Sequence, residues 1–144
     1  MPTINVSNSS QLNNALVSAR SGDTILLASG TYADVDMRGT KNSNLVANSE
    51  ITIKSANSGN PAVINNLYMQ DVRNITFDGI VFDLVTTSSS STNISLVEVH
   101  GSRDITFRNA VFDGDVHKGS VSVERGYGTG FGLKVLRSDG ITLE

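Results

Sequence analysis

The chain has no cysteine, so it forms no disulfide, holds no metal through thiolates and runs no thiol chemistry. That absence does not fix a compartment. No apolar run reaches the ~18 residues that suggest a membrane-spanning helix. Charged residues are scarce, at 17%, and a net charge of −3 gives no electrostatic case for nucleic acid or an anionic membrane. The start, Met1-Pro2-Thr3, lacks the basic end and apolar core of a signal peptide. Ser, Asn, Thr and Gly are plentiful instead, as suits a chain with many bends. The apolar residues are patterned, which argues against disorder. The 144 residues suffice for one domain.

The pattern is a repeat. Residues 67–77 (L-Y-M-Q-D-V-R-N-I-T-F), 97–107 (V-E-V-H-G-S-R-D-I-T-F) and 133–143 (L-K-V-L-R-S-D-G-I-T-L) share one plan, with spacings of 30 and 36 residues. Each is a short alternating strand, a polar bend and a second strand beginning Ile-Thr. Between 73–83 and 103–113, seven of eleven positions are identical. Periods in this range mean stacked supersecondary units. A strand–bend–strand unit that returns to the same place each period is a coil of a parallel β-helix. The expected fold is therefore all-β: a right-handed parallel β-helix with three strands per coil and about four coils. Ile75, Ile105 and Ile141 should stack in one column, and Phe77, Phe107 and Leu143 in the next. The inward pairs of the first strand are Leu67/Met69, Val97/Val99 and Leu133/Val135, by alternation.

Residues 1–23 read as an N-terminal cap on a single domain, with the coils running from 24 to 144. Residues 3–6 suit a strand. A helix over about 10–20 is predicted by Leu12, Ala15, Leu16 and Ala19 on one face, with Ser9 or Ser10 as N-cap and Gly22 just past the end. Residues 24–27 form a strand. Residues 35–37 align with the first strand of later coils, 51–53 with the second and 62–64 with the third. The loops 39–48 and 86–93 vary most, and a glycine-rich excursion over 114–132 holds His117, Lys118, Arg125 and Tyr127. The chain stops in mid-coil with no C-terminal cap in view. The expectation is the N-terminal part of something longer, with self-association through the uncapped last coil.

The outward column of the first strands is Asp36, Tyr68, Glu98 and Lys134, and the next is Arg38, Gln70, His100 and Leu136. Stacked at about 4.8 Å per coil, they form a polar stripe suited to an extended sugar chain. The bland alternative is that outward residues of any such fold are polar, with Glu98 and Lys134 a simple ion pair. Asp83 and Asp113 should also stack, with Asp115 and Asp78 nearby. A calcium ion between them is one reading and splayed, solvated carboxylates the other; no other cofactor is read. Arg73 and Arg103 stand at matching bends where they would neutralise acids. Sequons begin at Asn5, Asn8, Asn74 and Asn93, as chance predicts for this composition.

A helix, then residues 22–32 (G-D-T-I-L-L-A-S-G-T-Y), then repeated I-T-F coils resembles the start of the pectin-lyase-like right-handed β-helix proteins. Within them it is most like alginate lyases and mannuronan C5-epimerases. The resemblance covers essentially the whole chain, but on core and turn positions. It implies an acidic polysaccharide along the outer face of the first sheet, C5-epimerisation or β-elimination of a uronate, and a secreted or extracellular parent. Such chemistry needs a base for the C5 proton, a cation for the carboxylate and an acid. Tyr68 would stack on a sugar ring or act as a catalytic group, His100 would be a base, and Lys134 or Arg38 would meet a carboxylate. Substrate binding would fall to Arg38, Tyr68, Gln70, Glu98, His100 and Lys134. The epimerases' Y-G-F-D-P-H-type motif is reduced here to Tyr127-Gly128, followed by Thr129-Gly130-Phe131. The G-G-x-G-x-D calcium repeats are absent. The chain alone is expected to be inactive. The alternatives are a non-catalytic scaffold, a carbohydrate-binding surface module, or an engineered solenoid fragment that self-associates.

Overall fold

The computed structural model of the chain describes residues 2–84, 94–114 and 130–144. The backbone visits three sheets in turn. Its elements are β1 (Thr3–Val6), α1 (Ser9–Ser18), β2 (Thr24–Leu27), β3 (Thr31–Tyr32), β4 (Val35–Arg38), β5 (Val46–Ser55), β6 (Val63–Ile64) and β7 (Leu67–Gln70). They continue with β8 (Arg73–Asp78), β9 (Val81–Leu84), β10 (Ile94–His100), β11 (Arg103–Arg108), β12 (Val111–Gly114), β13 (Gly130–Leu136) and β14 (Asp139–Leu143). Sheet I is β4-β7-β10-β13, sheet II is β1-β2-β5-β8-β11-β14 and sheet III is β3-β6-β9-β12. The pairings within each sheet are parallel. This is an all-β parallel solenoid with a single α-helix among the described residues.

The register follows the repeat. Ile75 pairs with Ile105 and Ile105 with Ile141, while Phe107 lies between Phe77 and Leu143. Residues 35–37 pair with 67–69, 51–53 with 75–77, and Val63-Ile64 with Val81-Phe82. Inward residues of all three sheets meet in one apolar cluster: Met69 and Val97, Ile75 and Phe77, Ile64 and Phe82 are all fully buried. The Phe77 and Phe107 rings stack at 5.3 Å, and Phe82 and Phe112 at 5.1 Å. The two columns meet edge to face, Phe82 against Phe107 at 5.6 Å, an arrangement that ring quadrupoles favour.

Sequence and structure part company at the ends of the columns. Val135 and Leu143 occupy inward columns yet are 38% and 62% exposed, because among the described residues β13 and β14 have a neighbouring strand on one side only. Strands β10 and β13 also begin earlier than the repeat suggests, at Ile94 and Gly130. The loop expected over 39–48 contains a 3-10 turn at Ser43–Leu45, and β5 already starts at Val46, with a register shift between Val46 and Ile51.

Helix α1 packs on β1, β3 and β4 through buried Leu12, Ala15 and Leu16. Its N-cap is Asn8, not Ser9 or Ser10: Asn8 Oδ1 accepts from the Gln11 amide at 2.8 Å. Gln11 Oε1 in turn accepts from the Ser7 amide at 2.8 Å. The C-cap is Ala19, and Gly22 lies in the turn beyond, at φ 90°. Buried Asn42 reaches back and donates to the Leu16 and Ala19 carbonyls at 2.9 and 3.0 Å, satisfying helix-end acceptors that would otherwise go unpaired.

The bends explain how the coils stay in phase. Two residues join β7 to β8, β10 to β11 and β13 to β14. The first is left-handed each time: Asp71, Gly101 and Arg137, at φ 50–55°. Ser102 and Ser138 follow, and they build a ladder. The Val72 amide donates to Ser102 Oγ and the Ser102 amide to Ser138 Oγ, at 3.2 and 3.0 Å. Each serine hydroxyl donates to the carbonyl two residues before it.

Candidate functional site

Alternation points Asp36, Arg38, Tyr68, Gln70, Glu98, His100 and Lys134 away from the core on sheet I. Register then brings them side by side: Asp36–Tyr68–Glu98–Lys134 in one column, Arg38–Gln70–His100–Leu136 in the next. All seven polar members are half-buried, so they pack on one another.

At one end of the stripe, Arg38 Nε lies 2.8 Å from Asp36 Oδ1, and Lys41 Nζ 2.6 Å from Asp36 Oδ2. Burial would raise the Asp36 carboxyl, but the hydrogen bonds from Lys41 and Arg38 hold it below the ordinary carboxylate range. The Arg38 guanidinium sits 4.7 Å from the centre of the Tyr68 ring, a cation–π contact. Tyr68 OH donates to Gln70 Oε1 at 3.3 Å, and its ring lies 5.2 Å from that of His100. His100 Nε2 is 3.0 Å from Glu98 Oε2. Burial would raise Glu98, yet the hydrogen bonds from His100 and Ser95 and the charge of Lys134 bring it down. Glu98 therefore takes its hydrogen bond from His100 and feels Lys134 through charge. A proton on Nε2 toward Glu98 leaves Nδ1 as an acceptor, the arrangement a general base uses.

The stripe thus carries cations at both ends, a ring platform in the middle and a carboxylate-oriented imidazole. The repeat had indicated every member except two. Lys41 comes from the loop after β4, where no periodicity applies, and Ser95 from the early part of β10.

The other candidates fall elsewhere. Asp83 and Asp113 pair as neighbours on sheet III, and two stacked carboxylates do not by themselves make a calcium site. Among the described residues no group of three His, Cys, Asp or Glu is gathered to hold a metal. Asp78 lies on sheet II, where its carboxylate accepts from Asn109 Nδ2 at 3.1 Å. Arg73 and Arg103 do meet acids on the next coil, Asp104 at 3.5 Å and Asp139 at 2.9 Å. Asp115, His117, Lys118, Arg125, Tyr127 and the loop 86–93 lie outside the described residues. No helix of the described residues is long and apolar enough to cross a membrane.

No protein-family model matches the chain, and no curated protein matches it. Among solved structures, the crystal structure of alginate lyase from Paenibacillus sp. str. FPU-7 is similar, with a TM-score of 0.49 and 19% sequence identity. The match covers 98% of this chain, which spans 64% of the length of that one.

Proposed function

We propose that the outer face of sheet I binds an extended acidic polysaccharide of the uronate type, laid across the strands with the coils as its ruler. The observation that carries this reading is the registered stripe from Asp36 and Arg38 to Lys134, in which cations flank the half-buried Tyr68 ring. Tyr68 stacks under a sugar ring, Arg38 and Lys134 meet carboxylates, and Gln70 contacts hydroxyls. The three sheets are then faces of a right-handed parallel β-helix, the hand that nearly all parallel crossover connections take. Secretion of the parent protein belongs to the same proposal, as the place where such a polymer is met.

A finer reading adds chemistry at C5 of the uronate, by elimination or epimerisation. One contact favours it: Glu98 orients His100, so Nδ1 is left to accept the C5 proton. The electron pair left by the C5 proton is held on the carboxylate, beside Lys134 or Arg38; protonation of C5 from the opposite face completes epimerisation, and departure of the O4 substituent with that pair completes elimination.

Calorimetric titration with polymannuronate tests the binding. Saturable binding that weakens with added salt is expected, and Tyr68→Ala should lower affinity about tenfold, or about 1.4 kcal/mol. Heats indistinguishable from dilution would sink the proposal. Proton NMR of the polymer in deuterated water then tests the chemistry: loss of the H5 signal that disappears in His100→Gln supports the base, and an unchanged spectrum leaves binding alone.

A further inference from the structure

The outer face of sheet II carries a second array. Thr3, Thr24, Thr52, Thr76, Thr106 and Thr142 are partners in successive strands, so one column across the sheet is threonine throughout. Over Thr76, Thr106 and Thr142 the surface dips into a depression of about 250 Å³, walled by Glu50, Asn74 and Asp104. Repetition alone has a structural explanation, since threonine suits strands. Thr76 is different. It is 2% exposed, faces away from the apolar core and lines this depression, and its hydroxyl has no hydrogen-bond partner among the described residues. Thr52, one coil earlier, gives its proton to Glu50 Oε1 at 2.9 Å. A buried hydroxyl with no partner is an expensive group to leave alone.

We infer that this depression is a binding site for a neutral polyhydroxylated ligand, a saccharide or polyol, distinct from the acidic-polymer face on sheet I. Each threonine presents a hydroxyl that both donates and accepts, beside a methyl group, which matches the hydroxyls and C–H faces of a sugar. The hydroxyls recur at strand spacing, about 4.8 Å, so successive groups on an extended chain meet the same contact. The wall offers acceptors for hydroxyls, Glu50 and Asp104, and Glu50 also repels carboxylates, while the charge of Asp104 is met by Arg73 at 3.5 Å. The volume falls just below the range of drug-sized pockets, which limits it to one or two rings at a time.

The test is methyl and amide NMR of the full chain, titrated separately with cellotetraose, sorbitol and polymannuronate. Saturable shifts at Thr76, Thr106 and Thr142 with cellotetraose or sorbitol are expected. Polymannuronate should move Tyr68 and His100 instead, so each face succeeds or fails separately. Thr76→Val keeps the shape, removes the hydroxyl and should weaken neutral binding about three- to tenfold, the loss of one hydrogen bond. Thr106→Val is the second variant, should the first fold poorly. Absence of saturable shifts would mean that only water occupies the depression and overturns the site. So would affinity unchanged in both variants, or an equal response of these threonines to polymannuronate.

Discussion

Sheet II repeats threonine on its outer face in all six strands, whereas sheet I changes residue at every coil, from Asp36 to Tyr68 to Glu98 to Lys134. Inside, the two sheets obey one rule: Val35, Leu67 and Val97 follow one another as Ile51, Ile75 and Ile105 do, all at most 2% exposed. The interior repeats because a stacked column must fill the same space each turn. Nothing forces the exterior to repeat or to vary. A varied column carries different chemistry at each step and recognises one position of a ligand. A constant column treats every step alike.

The comparison has a core that both faces share, and breaking it gives the largest effect. Phe107 stacks on Phe77 and touches Phe82 and Phe112 edge-on. Phe107→Ala should cost about 3–5 kcal/mol, measured by urea unfolding, and should abolish binding on both faces together. A loss below about 1 kcal/mol would show that the columns are not packed as described.

Acid separates the faces more gently. Glu98 and Asp36 titrate lower in the folded chain than in the unfolded one. In that window the unfolded state binds more protons, so this stability is present above the ordinary carboxylate range, about pH 4, and drains away as pH falls through the folded values. Unfolding curves at pH 7 and pH 3 should therefore differ less in Glu98→Gln than in the parent chain. An identical pH dependence would mean that Glu98 gains nothing from His100 on folding.

The smallest contrast lies within the threonine column. Thr52→Val loses an exposed hydrogen bond to Glu50 and should shift stability by no more than about 0.5 kcal/mol, unfavourably. Thr76→Val, without ligand, should be neutral or stabilising, since no partner is lost and a buried hydroxyl is removed. A larger loss at Thr76 than at Thr52 in parallel thermal melts would show that Thr76 is already satisfied within the protein.

Much of this was legible in the chain because the repeat supplies the third dimension. Once Ile75 matches Ile105 and Ile141, register is arithmetic, and the outward neighbours Tyr68, Glu98 and Lys134 follow. Legibility stops where the period stops. Lys41 sits in an unrepeated loop, and only the fold brings it to Asp36. The helix cap moved to Asn8 because three adjacent residues are all good caps and the choice turns on which side chain reaches Gln11. The threonine column is written in the Ile-Thr starts, but nothing in the repeat separates a threonine that merely suits a strand from one that lines a depression. That Thr76 lacks a partner has no signature in sequence at all.

The two-residue bends divide the chain by how it tolerates change in length. Between sheets I and II the later coils always spend two residues, as at 71–72, 101–102 and 137–138, and the left-handed residue and serine ladder leave no slack. One inserted residue there would turn the following strand inside out, sending Ile105 to solvent and Thr106 to the core. The connections from sheet III to sheet I obey no such limit: they run from the two residues 65–66 to the fifteen residues 115–129 without disturbing the pairing on either side. Relatives of this chain should therefore keep the later bends between sheets I and II at two residues and vary the connections from sheet III to sheet I, beside the sheet I stripe, so that new loops arrive where they can reach whatever lies on it.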